Sequence, residues 1–324
     1  MFSLSSETDS SRSDSSLTAS PEGECDDNPI RLQGDTADEF RALLWALYAL
    51  PHELMLATSQ EANCTQLVSL ARITHKYQFR SIENWALSAL TTFYSLPGMF
   101  DAIPSVNPPA LPHPTHGTQT TDTTTPSLVQ ITELAALCEK TELLNAAITR
   151  WKRQIGEGKD LALAMHIGER FNLRSMLGLA YHAMMLKGKA HWDSEVTLTR
   201  DHKIRLLCGY YNLNKLWESL PSQPPALTHS ARCTSQQRCT KTWTTLWKTV
   251  LESSVAVIAT LQKEDLLGRI MLAESMMKAM VGGDIPSQGF LDGMPHCKES
   301  ALYATTMKVR EIKDSLADYF SDDF

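Results

Sequence analysis

From Thr36 onward the apolar residues Phe40, Leu43, Leu44 and Leu47 recur at intervals of three and four until Pro51 ends the run. That period predicts a helix with one buried face. Thr36 and Glu39 have the spacing of a capping box, which marks its start. Just before it, Ile30 and Leu32 alternate with Arg31 and Gln33 as far as Gly34, a two-residue period that predicts a short strand half buried against helices. A second helix carries Leu67, Leu70, Ala71 and Tyr77 on one face; a third is capped by Ser81 and buries Ile82, Trp85, Ala89 and Phe93. Only the bend from His75 to Ser81 separates these two, so they are expected to fold back as a hairpin with Tyr77 and Phe79 inside it.

The same grammar returns later in the chain. Tyr77-Gln78-Phe79-Arg80-Ser81-Ile82 aligns with Phe171-Asn172-Leu173-Arg174-Ser175-Met176 at an offset of 94 (171 − 77), with Ile73 on Ile167 and Ala86 on Ala180. A weaker third copy runs from Leu134 to Ile148, with Cys138-Glu139-Lys140 in place of the bend. Repeated hairpins that bury faces against neighbours predict a stacked helical array. Further helices are expected from Thr199 to Trp217, around Trp243, Leu246, Trp247, Val250 and Leu251, from Leu266 to Met280, and from Ala301 to Phe320. Trp243 and Trp247, four apart on one face, read as core, and Met276, Met277 and Met280 as fillers of core gaps.

Composition divides the chain. Residues 3–20 are dominated by serine and run into an acidic stretch, which predicts disorder over 1–28. Residues 97–126 are rich in proline and threonine, so 96–127 reads as a linker between an ordered segment, 29–95, and a helical region, 128–324, with an internal loop at about 220–240. His113 and His116 lie in that linker with no partner ligands nearby, and metal binding is not expected there.

The order of strand, helix ending in a Leu-Tyr pair, loop, and hairpin around Lys76-Tyr77-Gln78-Phe79 over residues 29–94 resembles the carboxyl-terminal half of a BTB/POZ domain, most closely those of the large fungal set. Pro29-Ile30 with Leu32 before Glu39-Phe40, Leu43-Leu44-Trp45 and Leu47-Tyr48, and Trp85-Ala86 in the third helix, carry the resemblance. Only Met1-Phe2-Ser3-Leu4 could match the tail of such a domain's front half. Either the chain starts inside the domain or the front half is lost, and the first is expected. The fold class that follows is mainly α, with a partial BTB/POZ-like α+β domain (short strand plus helices) followed by an α-helical region of helical hairpins. The resemblance implies a non-enzymatic adaptor or scaffold that binds other proteins, a substrate adaptor for a cullin-type ubiquitin ligase, or alternatively a nuclear regulator of transcription acting by partner recruitment. It implies a homo-oligomer if the complete domain is present.

Charge and motifs narrow the function classes. Thirty basic against 37 acidic residues give a net charge of −7 with no basic stripe, which argues against a nucleic-acid surface. Seven cysteines without a secretory leader point to free thiols in an intracellular compartment, cytoplasm or nucleus. No apolar run approaches the ~18 residues that span a bilayer, so no membrane association is expected. Asn63-Cys64-Thr65 matches a glycosylation sequon only by pattern. Phosphate-loop, dinucleotide, nucleophile-elbow and metalloprotease motifs do not occur; Gly156-Glu157-Gly158-Lys159-Asp160 lacks the first glycine and the final Ser/Thr of a phosphate loop. No enzyme activity, catalytic residue or cofactor is expected. The one soft-ligand constellation is Cys233 and Cys239, flanked by His229, with His296 and Cys297 in a later loop. Four such ligands suit zinc. The gap between Cys233 and Cys239 nevertheless exceeds the usual spacing, and adjacent His296-Cys297 is awkward around one tetrahedral ion, so the spacing alone points to free thiols.

Overall fold

A computed structural model describes residues 23, 29, 30, 32–101, 103–105, 125–257, 261, 262, 264–284, 289 and 291–321, with backbone alone at 253–257. The serine-rich stretch 3–20, and most of the Pro/Thr-rich stretch with His113 and His116, lie outside the described residues.

The chain is mainly helical. The expected strand at Ile30 and Leu32 is not formed, and no strand occurs among the described residues. A strand needs a partner ladder for its N–H and C=O groups. Without one, Ile30 and Leu32 stay 64% and 43% exposed. The helix that follows, α1 (Ala37–Tyr48), starts as its capping box requires: the Glu39 N–H donates to Thr36 Oγ1 at 3.2 Å and the Thr36 N–H donates to Glu39 Oε2 at 2.9 Å. Pro51 opens the short α2 (Pro51–Leu56), and Asn63 caps α3 (Cys64–Lys76) by accepting from the Gln66 N–H at 3.1 Å.

Three hairpins then share one bend. They pair α3 with α4 (Arg80–Ser95), α5 (Leu128–Leu137) with α6 (Thr141–Gly156), and α7 (Leu161–Arg170) with α8 (Arg174–Lys187). At the bends Gln78, Glu139 and Asn172 adopt left-handed φ values of 61°, 53° and 51°. The next N–H in each reaches five residues back: Phe79 to Thr74 O at 2.8 Å, Lys140 to Ala135 O at 2.9 Å, and Leu173 to Gly168 O at 2.8 Å. These are Schellman closures, which satisfy the last carbonyls of one helix while turning the chain into the next. The repeat seen in the sequence is therefore a repeat of geometry.

The hairpins stack, with α3 on α5, α4 on α6 and α6 on α8. Leu70, Leu90, Ile131, Ala147, Trp151 and Met176 are fully buried in the continuous core between them. The helices on the two sides of the linker share this core. Ile103 is buried, the Leu128 N–H donates to Pro104 O at 2.9 Å, and Arg72 pairs with Glu133 at 2.9 Å.

Two expectations for the first hairpin are corrected. Phe79 is 39% exposed at the N-cap of α4, and Tyr77 is half-buried with its hydroxyl donating to Asp35 Oδ2 at 2.6 Å. Leu67, Leu70, Ile73, Ala86 and Leu90 fill the hairpin instead. Because the Schellman closure begins α4 at Arg80, Phe79 is its cap rather than Ser81; Ala89 is buried as expected, with Ala86, Leu87, Leu90 and Tyr94, while Ile82, Trp85 and Phe93 are partly buried against the core.

Beyond the array come α9 (Lys189–Ser194), α10 (Arg200–Ser219), α11 (Gln236–Val257), α12 (Leu266–Gly282) and α13 (Lys298–Asp314), with 3₁₀ turns at Leu220–Ser222, Leu291–Gly293 and Leu316–Phe320. The last turn packs onto both α8 and α10. Trp243 and Trp247 are buried, their indole N–H groups donating to Pro225 O at 2.8 Å and Leu220 O at 2.7 Å. No helix among the described residues is long and apolar enough to cross a membrane.

Candidate functional site

Two features stand out once the core is assigned. The first is on α1. Ala42 and Leu43 face α3, but Phe40, Leu44 and Leu47, at helical spacing, are 39%, 41% and 54% exposed. Tyr48, Leu50, Met55 and Leu56 extend this apolar surface across the α1–α2 corner, all of them exposed. The period says which residues share a face and not whether the face is covered; an α1 without the front half of a BTB/POZ-like domain is expected to leave these three side chains uncovered, and they are exposed. An exposed apolar surface of this extent is uncommon on a folded chain.

The second is a cluster of soft ligands at the other end of the chain. Cys233 lies in the loop after the Leu220–Ser222 turn, Cys239 in the first turn of α11, and Cys297 at the N-cap of α13. His229, in the same loop as Cys233, completes the group; one ligand atom from each of the four lies within 4.8 Å of every other. Cys233 Sγ is 3.4 Å from Cys239 Sγ and 3.7 Å from His229 Nδ1, and Cys297 Sγ is 3.7 Å from His229 Nδ1. His296 points elsewhere: it is exposed, while its neighbour Cys297 is fully buried. Of the residues singled out by spacing, the structure therefore gathers Cys233, Cys239 and Cys297, replaces His296 by His229, and removes the objection of an adjacent pair. Burial, with the adjoining thiols of Cys233 and Cys297, pushes the Cys239 thiol up to about 12. At Cys233 desolvation acts upward, but hydrogen bonds from Cys239, the Ser235 backbone and Cys297 outweigh it and lower the thiol.

Two further polar clusters join helices, one within the array and one between the array and α10. The buried Glu83 carboxylate on α4 meets His75 Nδ1 of α3 at 2.8 Å and Arg80 at 3.1 Å, with Cys138 of the next hairpin beside it. Glu169 on α7 accepts from the Tyr181 hydroxyl at 2.5 Å and from Arg205 at 2.7 Å, and meets His202 Nε2 at 3.0 Å. Burial opposes the Glu169 charge, yet these partners hold its pKa below the ordinary glutamate value. The first cluster joins helices of the array and the second ties α7 and α8 to α10, and their ionic partners account for their placement.

Comparison of the chain with protein-family models, with curated proteins and with solved structures yields no match.

Proposed function

We propose that the protein is a non-enzymatic interaction module, a BTB-type adaptor that presents a target protein to a cullin-type ubiquitin ligase. The observation that carries the reading is the exposed apolar stripe Phe40, Leu44 and Leu47 on α1. Full burial of such a side chain is worth about 1.5–3 kcal/mol, and with roughly half their surface still exposed covering the three supplies about half of that each, enough for a small interface core. A rigid helix held on α3 by Ala42 and Leu43 loses little entropy on binding. Its natural counterpart is a partner's apolar helix face, laid ridge into groove. The BTB/POZ resemblance of residues 29–94 is what suggests the ligase.

The test is co-precipitation of the full chain from native cells, probed for a cullin, with Leu44→Asp and Leu47→Asp as variants. Both positions are exposed, so the variants keep the fold. The wild type is expected to bring down the cullin and the variants to lose it. Unchanged recovery with both variants would remove the stripe as the contact surface. Recovery of transcription regulators without a cullin would favour the nuclear form of the same activity.

A further inference from the structure

We propose that His229, Cys233, Cys239 and Cys297 form a structural zinc site that ties the loop 223–235 to the starts of α11 and α13. The inference is independent of the adaptor reading. Zinc bound by sulfur at ~2.3 Å and nitrogen at ~2.0–2.1 Å in a tetrahedron sets S···S edges of about 3.8 Å and S···N edges of about 3.6 Å. The 3.7 Å from each of Cys233 and Cys297 to His229 Nδ1 matches that frame, and the 3.4 Å between Cys233 and Cys239 needs only about 0.4 Å of opening to reach it.

The donor set selects the metal. Three thiolates and one imidazole suit zinc; calcium and magnesium require oxygen ligands, and iron–sulfur clusters are commonly held by four cysteines. Four protein ligands fill a tetrahedron, so no position is left for water or substrate, and the site is structural rather than catalytic.

The surroundings orient the ligands. His229 Nε2 lies 3.2 Å from Thr240 Oγ1, whose hydroxyl donates to Gln236 O at 3.0 Å. With its proton committed to Gln236, Thr240 Oγ1 is free to accept from Nε2–H. The unprotonated Nδ1 then faces the sulfurs, the tautomer a metal needs. Spacing is no obstacle either: the five residues between Cys233 and Cys239 include the start of α11, whose first turn carries Cys239 back beside the loop. The loop itself has no helix or strand between the Leu220–Ser222 turn and α11. Connections of that length without secondary structure are uncommon in a compact domain.

Full-length protein purified under reducing conditions and without chelator is expected to carry one zinc per chain by elemental analysis. Cobalt exchanged into the site should give the visible d–d bands and the sulfur-to-metal charge-transfer band of a tetrahedral thiolate complex. Cys297→Ser and His229→Ala should each lose the stoichiometric metal, and exposed His296→Ala should retain it. Thr240→Val leaves all four ligands in place and should weaken zinc binding by about 10- to 100-fold, read by competition with a chromophoric chelator. Should a ligand variant fail to fold, the metal content and cobalt spectrum of the wild type still decide. Metal-free wild-type protein, a Cys233–Cys239 disulfide by mass spectrometry of that protein, or loss of metal on His296→Ala with retention on His229→Ala would overturn the proposal.

Discussion

Gly209 lies flush against the ring of Phe320: a Cβ there would sit 2.1 Å from Cδ1. The ring in turn stacks on Tyr181, centroids 5.2 Å apart, so the Leu316–Phe320 turn is clasped between α10 and α8. Gly209→Ala is expected to cost about 1–3 kcal/mol by overpacking, seen as a lower urea midpoint. In a Phe320→Ala background the same change should cost much less, because the obstructing ring is gone. Additive effects of the two substitutions would show that no such contact exists.

The shared hairpin bend predicts a stabilising substitution. Left-handed backbone costs a non-glycine residue about 1–2 kcal/mol, and glycine returns part of that gain through its extra freedom in the unfolded chain. Glu139→Gly, at φ 53°, should therefore stabilise by about 0.5 kcal/mol. Asn172→Gly should change less, because asparagine tolerates this region, and Glu139→Val should destabilise by more than the glycine gains. Thermal unfolding that ranks valine above glycine would exclude a left-handed bend.

His182 on α8 supplies a pH dependence. Its ring is buried, and Nε2 lies 3.6 Å from Asp265 Oδ1, too far for a hydrogen bond. Burial lowers its pKa below the ordinary 6.5, with the Asp265 charge opposing. The unfolded chain then binds the proton more readily than the folded one. This contribution is complete above about pH 6.5 and is lost as the pH falls through the lowered value, at no more than about 1.4 kcal/mol per pH unit. Urea unfolding between pH 7 and 5 should show that decline, and His182→Phe should flatten it. An equal slope in the variant would assign the decline to other groups.

Trp151 is fully buried, and its indole N–H donates to Thr132 Oγ1 at 2.9 Å across the α5–α6 hairpin. Thr132→Val keeps the shape but strands that N–H, at an expected cost of about 1–3 kcal/mol. Thr132→Ser keeps the hydroxyl and should cost less. A Thr132→Val loss no larger than that of Thr132→Ser, by calorimetry, would show that the hydroxyl contributes no more than the methyl group serine lacks.

Much of this architecture was legible in the residue pattern. The 94-residue offset (171 − 77) between Tyr77 and Phe171 located two copies of the bend, and the weaker match at Cys138 located the third, because a Schellman closure and a helix start make repeated local demands. Thr36 and Glu39 marked the start of α1, and Trp243 with Trp247 marked a buried face, for the same local reason. The strand at Ile30 and Leu32 failed because alternation describes one segment, whereas a strand exists only with a neighbour to pair with.

By itself, the sequence determined much of what depends on near neighbours along the chain: the longer helices, the capping box at Thr36 and Glu39, the hairpin bends, and cysteine and histidine as soft ligands near residues 229–239. Only the tertiary structure decided what depends on distant segments meeting. It turned Phe79 outward at the cap of α4, although the bend that carries it was expected to bury it. It set Cys297 beside His229 across 68 residues while turning the adjacent His296 outward, a choice made by the phase of the turn entering α13 and invisible in spacing. Periodicity measures which side chains share a face; packing alone determines what that face meets.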